Sequence, residues 1–174
     1  MKPYVFNVAE ITDACIKWIQ DWMQKNGNNE TKVVIGISGG KDSTVVAALC
    51  AKALGKDRVL GVMMPNGVQP DISDSQKIVD FLSIPHLTIN INNAYTGLTE
   101  EIKTQMSLES LSPQYLTNTP ARLRMTTLYG IGAIIGNARV VNTCNRSEDV
   151  QGYSTHYGDS AGDFAPVAKL TTEE

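Results

Sequence analysis

Apolar residues change their spacing several times along this chain, and each change marks an expected element. After Asn7, the residues Val8, Ile11, Cys15, Trp18 and Trp22 recur every three or four positions, the spacing of one face of an amphipathic helix. Asn7 and Glu10 form a capping-box-like start and Gly27 a stop. The two tryptophans read as core or subunit-interface residues and carry no chemistry. From Thr31 the pattern alternates: Lys32 to Ile37, Arg58 to Met63 and His86 to Ile91 read as strands, with helices over Thr44 to Leu54, Ser73 to Leu82 and Ala94 to Met106. Polar residues Ser107 to Thr119, with Pro113, read as a loop before a helix from Pro120 to Ile135 and a strand from Ala138 to Thr143. Apolar strands separated by helices of this length predict parallel βαβ units with right-handed crossovers. The expected fold is α/β, with a doubly wound, mainly parallel sheet and helices on both faces.

Sheets of this kind bind ligands outside the carboxyl ends of their strands, so the loops after Ile37, Met63 and Thr143 should share one rim. The first of them is Gly36-Ile37-Ser38-Gly39-Gly40-Lys41-Asp42-Ser43. Its glycines let backbone approach an anion, and the unpaired amides of the following helix lie at the positive end of the helix dipole. Two better-known phosphate loops are excluded by the letters. A Walker A loop needs Lys followed by Ser or Thr, and Lys41 precedes Asp42; a dinucleotide fingerprint needs Gly-x-Gly-x-x-Gly, which Gly36, Gly39 and Gly40 do not supply. What remains, Ser-Gly-Gly-x-Asp-Ser, resembles the signature of the PP-loop ATP pyrophosphatases. The alternative is a glycine-rich turn in which Asp42 and Ser43 merely cap a helix.

With 174 residues, 42% of them hydrophobic, the chain suffices for one well-buried core and one domain, 1–174. A net charge of -3 with scattered Lys and Arg argues against a nucleic-acid surface and for a small partner. Cys15, Cys50 and Cys144 are far apart and read as reduced, structural thiols. Neither a signal-peptide pattern nor an apolar run of about 18 residues is present, so a cytoplasmic location without membrane contact is expected.

Two further segments fall on the expected rim. Met63-Met64-Pro65-Asn66-Gly67-Val68-Gln69-Pro70-Asp71 is turn-rich and leads into a helix with Asp71 and Asp74. After Val141, the run Asn142-Thr143-Cys144-Asn145-Arg146-Ser147-Glu148-Asp149 should place a hydroxyl and a carboxylate near the same rim as Asp42. Two carboxylates converging on a phosphate chain suit Mg²⁺, a hard cation that takes one or two carboxylates plus phosphate oxygens and water. Asp42 and Glu148 are the expected metal pair; the alternative is that Glu148 and Asp149 only complement a helix start. The stretch from Gly152 to Pro166 is rich in glycine, aromatics and acids without periodicity, which reads as an ordered functional loop in which His156 contacts ligand rather than catalyses.

Three separated blocks agree with one family: Gly36 to Ser43, Met64-Pro65-Asn66-Gly67-Val68-Gln69, and Ala121-Arg122-Leu123-Arg124-Met125 together with Glu148 to Asp163. They resemble the ammonia-dependent NAD synthetases, a PP-loop group with an adenine nucleotide alpha hydrolase-like fold. The resemblance implies a ligase that adenylates the nicotinate carboxylate of deamido-NAD with ATP, releases pyrophosphate, and lets ammonia displace AMP. It further implies that Gly36, Ile37, Ser38, Gly39, Gly40, Lys41, Asp42, Ser43 and Thr143 bind ATP, that Asp42 and Glu148 hold Mg²⁺, and that Arg122, His156 and Asp163 contact deamido-NAD. His156 stands where many members have lysine, and Thr172 where many have an ATP-contacting lysine, with Lys169 nearby. Members are homodimers with deamido-NAD near the subunit interface; no glutamine-hydrolysing amidase segment is present, which points to free ammonia. Leu170-Thr171-Thr172-Glu173-Glu174 reads as a helix start with a cap and acidic first turn, and members continue beyond it, so the expectation is a chain lacking the C-terminal part of the family domain.

Overall fold

A computed structural model describes residues 6–70 and 72–174; Asp71, one of the acidic residues noted above, lies outside the described residues. Four parallel strands, β1 (Lys32–Gly36), β2 (Val59–Met63), β3 (His86–Thr88) and β4 (Ala138–Val140), lie in the order β3-β2-β1-β4. Val33 pairs with Val59, and Gly36 with Val62; on the other side Lys32 pairs with Ala138 and Val34 with Val140. The order reverses at β1. The first three strands step outward to one side of it, and the chain then returns to lay β4 along its other edge. In an open parallel sheet that reversal opens a crevice at the strands' carboxyl ends.

Alternation along β1 divides the core. Val33, Ile35 and the following Ile37 join Ile19 and Met23 of α1 (Val8–Asn26), Val46 and Cys50 of α2 (Lys41–Leu54) and Val79 of α3 (Ile72–Leu82) in one cluster. Val34, Val62 and Val140 point the other way, onto Met125 and Leu128 of α5 (Pro113–Ile135). The sheet is thus buried on both faces, which is why its central strands read as unbroken apolar runs. Trp22 stacks on Phe164 with centroids 4.5 Å apart, and Trp18 is 43% exposed.

Several boundaries differ from expectation, α2 for one starting at Lys41 and not at Thr44. The formal β3 ends at Thr88, yet Ile89 N and Ile91 N still donate to Met63 O and Pro65 O at 2.9 Å. Edge strand β4 stops at Val140, because Asn142 N is taken by Phe164 O at 2.8 Å instead of a strand partner. The polar stretch after α4 (Asn92–Met106) is only partly loop: Ser112 caps α5 through Tyr115 N at 3.2 Å, and Pro113 occupies the first turn. Pro120 lies inside that helix and is buried. It forfeits one backbone bond, to Leu116 O, and tertiary packing supports the helix regardless. At Leu170 to Glu174 no helix is formed, but Thr171 N donates to Glu174 Oε2 at 2.8 Å, one half of the reciprocal cap that the letters suggested. No helix among the described residues is long and apolar enough to cross a membrane.

Candidate functional site

Where β1 ends, the chain must turn sharply to start α2, and the loop residues bond among themselves to do it. Ile37 N is still held by Val62 O at 2.9 Å. Gly39 then takes φ +86°, a region unfavourable for any residue with a Cβ. Ser38 Oγ accepts from Gly40 N at 3.2 Å and lies 3.0 Å from Ser43 Oγ, which donates to Gly40 O at 3.1 Å. The N-cap of α2 is Gly40, and no side chain caps that end. Asp42 and Ser43 therefore do not act as helix caps, and the first-turn amides remain directed at whatever occupies the crevice.

The end of β4 supplies the opposite wall. Asn142 Nδ2 donates to Asp159 O and Ala161 O at 2.8 and 2.9 Å, and its Oδ1 accepts from Cys144 N at 2.7 Å. This one buried amide staples the 152–166 loop to the strand end. Asn145 caps α6 (Arg146–Gln151) in a capping box with Glu148, and Asn145 Nδ2 also donates to Asp42 Oδ1 at 3.3 Å. Between the walls lies a cavity of about 430 Å³, open at the strand ends and lined by both.

Of the residues singled out from sequence, Gly36, Ile37, Ser38, Gly40, Asp42, Ser43, Thr143 and Glu148 line this cavity together. Gly39 packs behind it against Ser75. Lys41 turns its Nζ to Thr172 O at 2.7 Å. Arg122, His156 and Asp163 are not among the lining residues. Arg122 Nε donates to His156 O at 3.1 Å, and the His156 ring lies against Tyr157. Asp163 is engaged behind β4, where its Oδ2 accepts from Val140 N at 2.7 Å and its Oδ1 from the Tyr129 hydroxyl at 3.3 Å. Burial, then the charge and hydrogen bond of Asp163, push the Tyr129 phenol above its ordinary value.

Sequence reasoning passed over Arg124, which does line the cavity and whose Nε donates to Met64 O at 3.0 Å. Residues two apart on a helix point roughly 200° away from each other, so Arg122 and Arg124 cannot share a face. The helical phase, set by Met125 and Leu128 in the core, selects Arg124. Burial lowers its guanidinium below the usual value, a cation partly stripped of water and therefore a strong partner for an anion. Asn145 and Asp159 were passed over too; a buried capping asparagine is visible from sequence only as a cap.

The donor set can be tested against a divalent cation. Neither Asp42 nor Glu148 is ion-paired among the described residues, where the ion pairs are Lys17–Asp21 and Lys77–Asp74. No group of three or more His, Cys, Asp or Glu able to hold a metal occurs among them either. Two carboxylates without an ion-pair partner among the described residues, on one cavity with the Gly36–Ser43 segment, fit Mg²⁺ that arrives with phosphate oxygens, not a metal held by protein alone. The Cys144 thiol, donating to Asp159 O at 3.1 Å, is pushed up to about 11 by burial first and by the Glu148 and Asp159 charges next. It stays protonated near neutral pH and is no nucleophile.

A family model described as NAD synthase matches residues 11–174. NH(3)-dependent NAD(+) synthetases from Pyrococcus horikoshii and Pyrococcus furiosus are 38% and 39% identical over 93% and 97% of the chain, which covers 60% and 61% of their lengths. The chain thus spans about three fifths of the curated relatives it matches. Among solved structures, an NH3-dependent NAD synthetase from Campylobacter jejuni superposes with a TM-score of 0.85 at 31% identity, over 96% of this chain and 69% of that one. NMN synthetase from Francisella tularensis gives 0.84 at 30%, over 97% and 68%. The matched span takes in every residue of the cavity, from the glycine loop to the capped helix that faces it, and the chain belongs to the NAD synthase family.

Proposed function

We propose that this chain carries the ATP-gripping and adenylating part of an ammonia-dependent NAD synthetase. The observation that supports it best is the placement of the Gly36–Ser43 loop and Glu148 on opposite walls of one cavity at the sheet's switch point. In the proposed reaction a carboxylate oxygen of deamido-NAD attacks the α-phosphorus of ATP, a new P–O bond forms, and the α–β bond breaks to release pyrophosphate. Ammonia then attacks the acyl carbon, a C–N bond forms, AMP leaves with the carboxylate oxygen, and the spare proton goes to solvent. A carboxylate is a poor acylating agent until that oxygen belongs to a good leaving group, so alignment and charge neutralisation carry most of the work.

The loop amides and the α2 dipole hold the phosphates, and Thr143 hydrogen-bonds ATP from the β4 side. Lys41 leaves Thr172 O to reach the same phosphates. Asp42 and Glu148 would hold Mg²⁺, which when bound neutralises the departing pyrophosphate. Arg124 faces the ligand from α5, Arg122 and His156 contact deamido-NAD outside the cavity, and Asp163 contacts it only on leaving Val140 N and the Tyr129 hydroxyl. Two copies of the chain pair as a homodimer, which light scattering of the purified chain checks.

Incubation with ATP, Mg²⁺, ammonia and deamido-NAD is expected to yield NAD, AMP and pyrophosphate; ADP as product would exclude adenylation. Asp42→Ala removes the activity and keeps the fold. The likeness to an NMN synthetase makes the corresponding mononucleotide acid the acceptor to offer in parallel, and a faster turnover with it would reassign the substrate without changing the chemistry.

A further inference from the structure

The two carboxylates assigned to the ATP-bound cation are distant in sequence, and one buried residue holds both, Asp42 through its side chain and Glu148 through its backbone N–H. Asn145 is 3% exposed. Its Nδ2 donates to Asp42 Oδ1 at 3.3 Å; its backbone N–H donates to Glu148 Oε2 at 3.0 Å, and its Oδ1 accepts from Glu148 N at 3.1 Å. The Thr172 hydroxyl donates to that same Oδ1 at 3.4 Å. The orientation of the amide follows from chemistry, because a backbone N–H can only donate and a carboxylate can only accept.

Helix capping accounts for the oxygen of Asn145 and not for its nitrogen. Ser or Asp would cap α6 about as well, but neither presents an N–H to Asp42 from the same side chain. Asp42 and Glu148 are like charges on one cavity, without a cationic partner among the described residues, and like charges repel most where water is scarce. Two donors of one residue, the side-chain Nδ2 toward Asp42 and the backbone N–H toward Glu148, offset that repulsion and fix one oxygen of each.

We propose that Asn145 is a positioning residue that holds Asp42 and Glu148 in register, so that their remaining oxygens meet the divalent cation of ATP without rearrangement. The inference rests on the reading of Asp42 and Glu148 as the cation pair. It acts through these two carboxylates, not by contact with substrate.

The test is Asn145→Ser in this chain, which keeps a neutral capping oxygen and deletes the donor to Asp42. The readout is Mn²⁺ binding, followed by electron paramagnetic resonance in the presence of α,β-methylene-ATP. One hydrogen bond to a charged group corresponds to at least about a tenfold change. Mn²⁺ affinity is expected to fall by about tenfold or more, with metal-free nucleotide affinity unchanged and the melting temperature within about 4 °C of the parent. In an Asp42→Asn background the same substitution is expected to change little.

Equal Mn²⁺ affinity in the parent and Asn145→Ser overturns the role of Asn145 and leaves the reading of the site standing. Absence of Mn²⁺–nucleotide binding by the parent chain overturns both. Should Asn145→Ser fail to fold, the parent alone decides: the Asn145 side-chain amide resonance is expected to broaden on adding Mn²⁺ with the nucleotide analogue, and an unbroadened signal refutes the proposal.

Discussion

Gly39 and Gly55 both hold positive φ, +86° and +90°, but only one of them has neighbours. A Cβ on Gly39 would stand 3.3 Å from Ser75 N and Ser75 Oγ and 3.5 Å from Asp74 Cβ, whereas one on Gly55 would meet nothing within 4 Å. Ser75 cannot easily give way, since it is fully buried and its Oγ donates to Ile37 O at 3.2 Å. Alanine in such backbone regions costs about 1–3 kcal/mol, and the loss of unfolded-chain freedom returns about 0.4–1 kcal/mol. Gly55→Ala should therefore destabilise by about 1–2 kcal/mol. Gly39→Ala adds overpacking against α3, about 1–3 kcal/mol, for a total of about 2–5 kcal/mol. In a domain of this size each kcal/mol lowers the melting temperature by about 2–4 °C. Scanning calorimetry should place Gly39→Ala several degrees below Gly55→Ala. Because the strain at Gly39 shifts the amides that face the cavity, titration calorimetry should show ATP affinity at least about tenfold weaker in Gly39→Ala and unchanged in Gly55→Ala, as expected for one lost charge-assisted contact. Equal melting points and a parental ATP affinity in Gly39→Ala would refute the account of this loop.

Arg124→Met keeps an aliphatic stem and should weaken ATP binding by about tenfold or more, the scale of one charge-assisted hydrogen bond, whereas Arg122→Met should leave it unaltered; titration calorimetry separates the two. Glu148→Gln preserves an oxygen for Asn145 N, so NAD formation should vanish while the melting curve stays in place. Asp163→Asn should bring the Tyr129 phenol back toward its ordinary value, read as an earlier rise in ultraviolet absorbance during alkaline titration, and should destabilise by about 1–2 kcal/mol through the bond to Val140 N. The Cys50 and Cys144 thiols are raised from 9.0 to about 12 and about 11 by burial. The folded state then holds these protons more tightly than the unfolded chain, so their stabilisation is complete below pH 9 and is lost as pH rises towards about 11 and about 12. Denaturant titrations from pH 8 upward should show that decline, and Cys50→Ala should flatten its upper part.

Periodicity located nearly every element, because burial leaves its mark wherever a strand or helix meets the core. Val33, Val34 and Ile35 are all buried, and an unbroken apolar run is what a strand covered on both faces requires. It was less informative at the sheet's edges. The residues of β3 are all exposed, and β4 is cut short by Phe164, a competitor for its backbone that lies beyond the reach of local pattern. Pro120 misled for a related reason: proline most often opens a helix, and here neighbouring packing carries a helix through it.

The letters of Gly36 to Ser43 carry the expectation of an anion grip, since glycines let the backbone bend close to an anion at a helix start, and the fold brings most of that segment to the cavity. Asp42 and Glu148 were readable as carboxylates that could converge. Their convergence across one cavity, the preference for Arg124 over Arg122, and the placing of Asp163 behind β4 depended on three-dimensional phase and strand order. A sequence states which groups are available and at what local spacing, and local spacing governs turns and helix faces. Which groups meet across 103 residues, as Asn145 and Asp42 do, is decided by how the β4 edge packs beside β1, and only the folded chain contains that information.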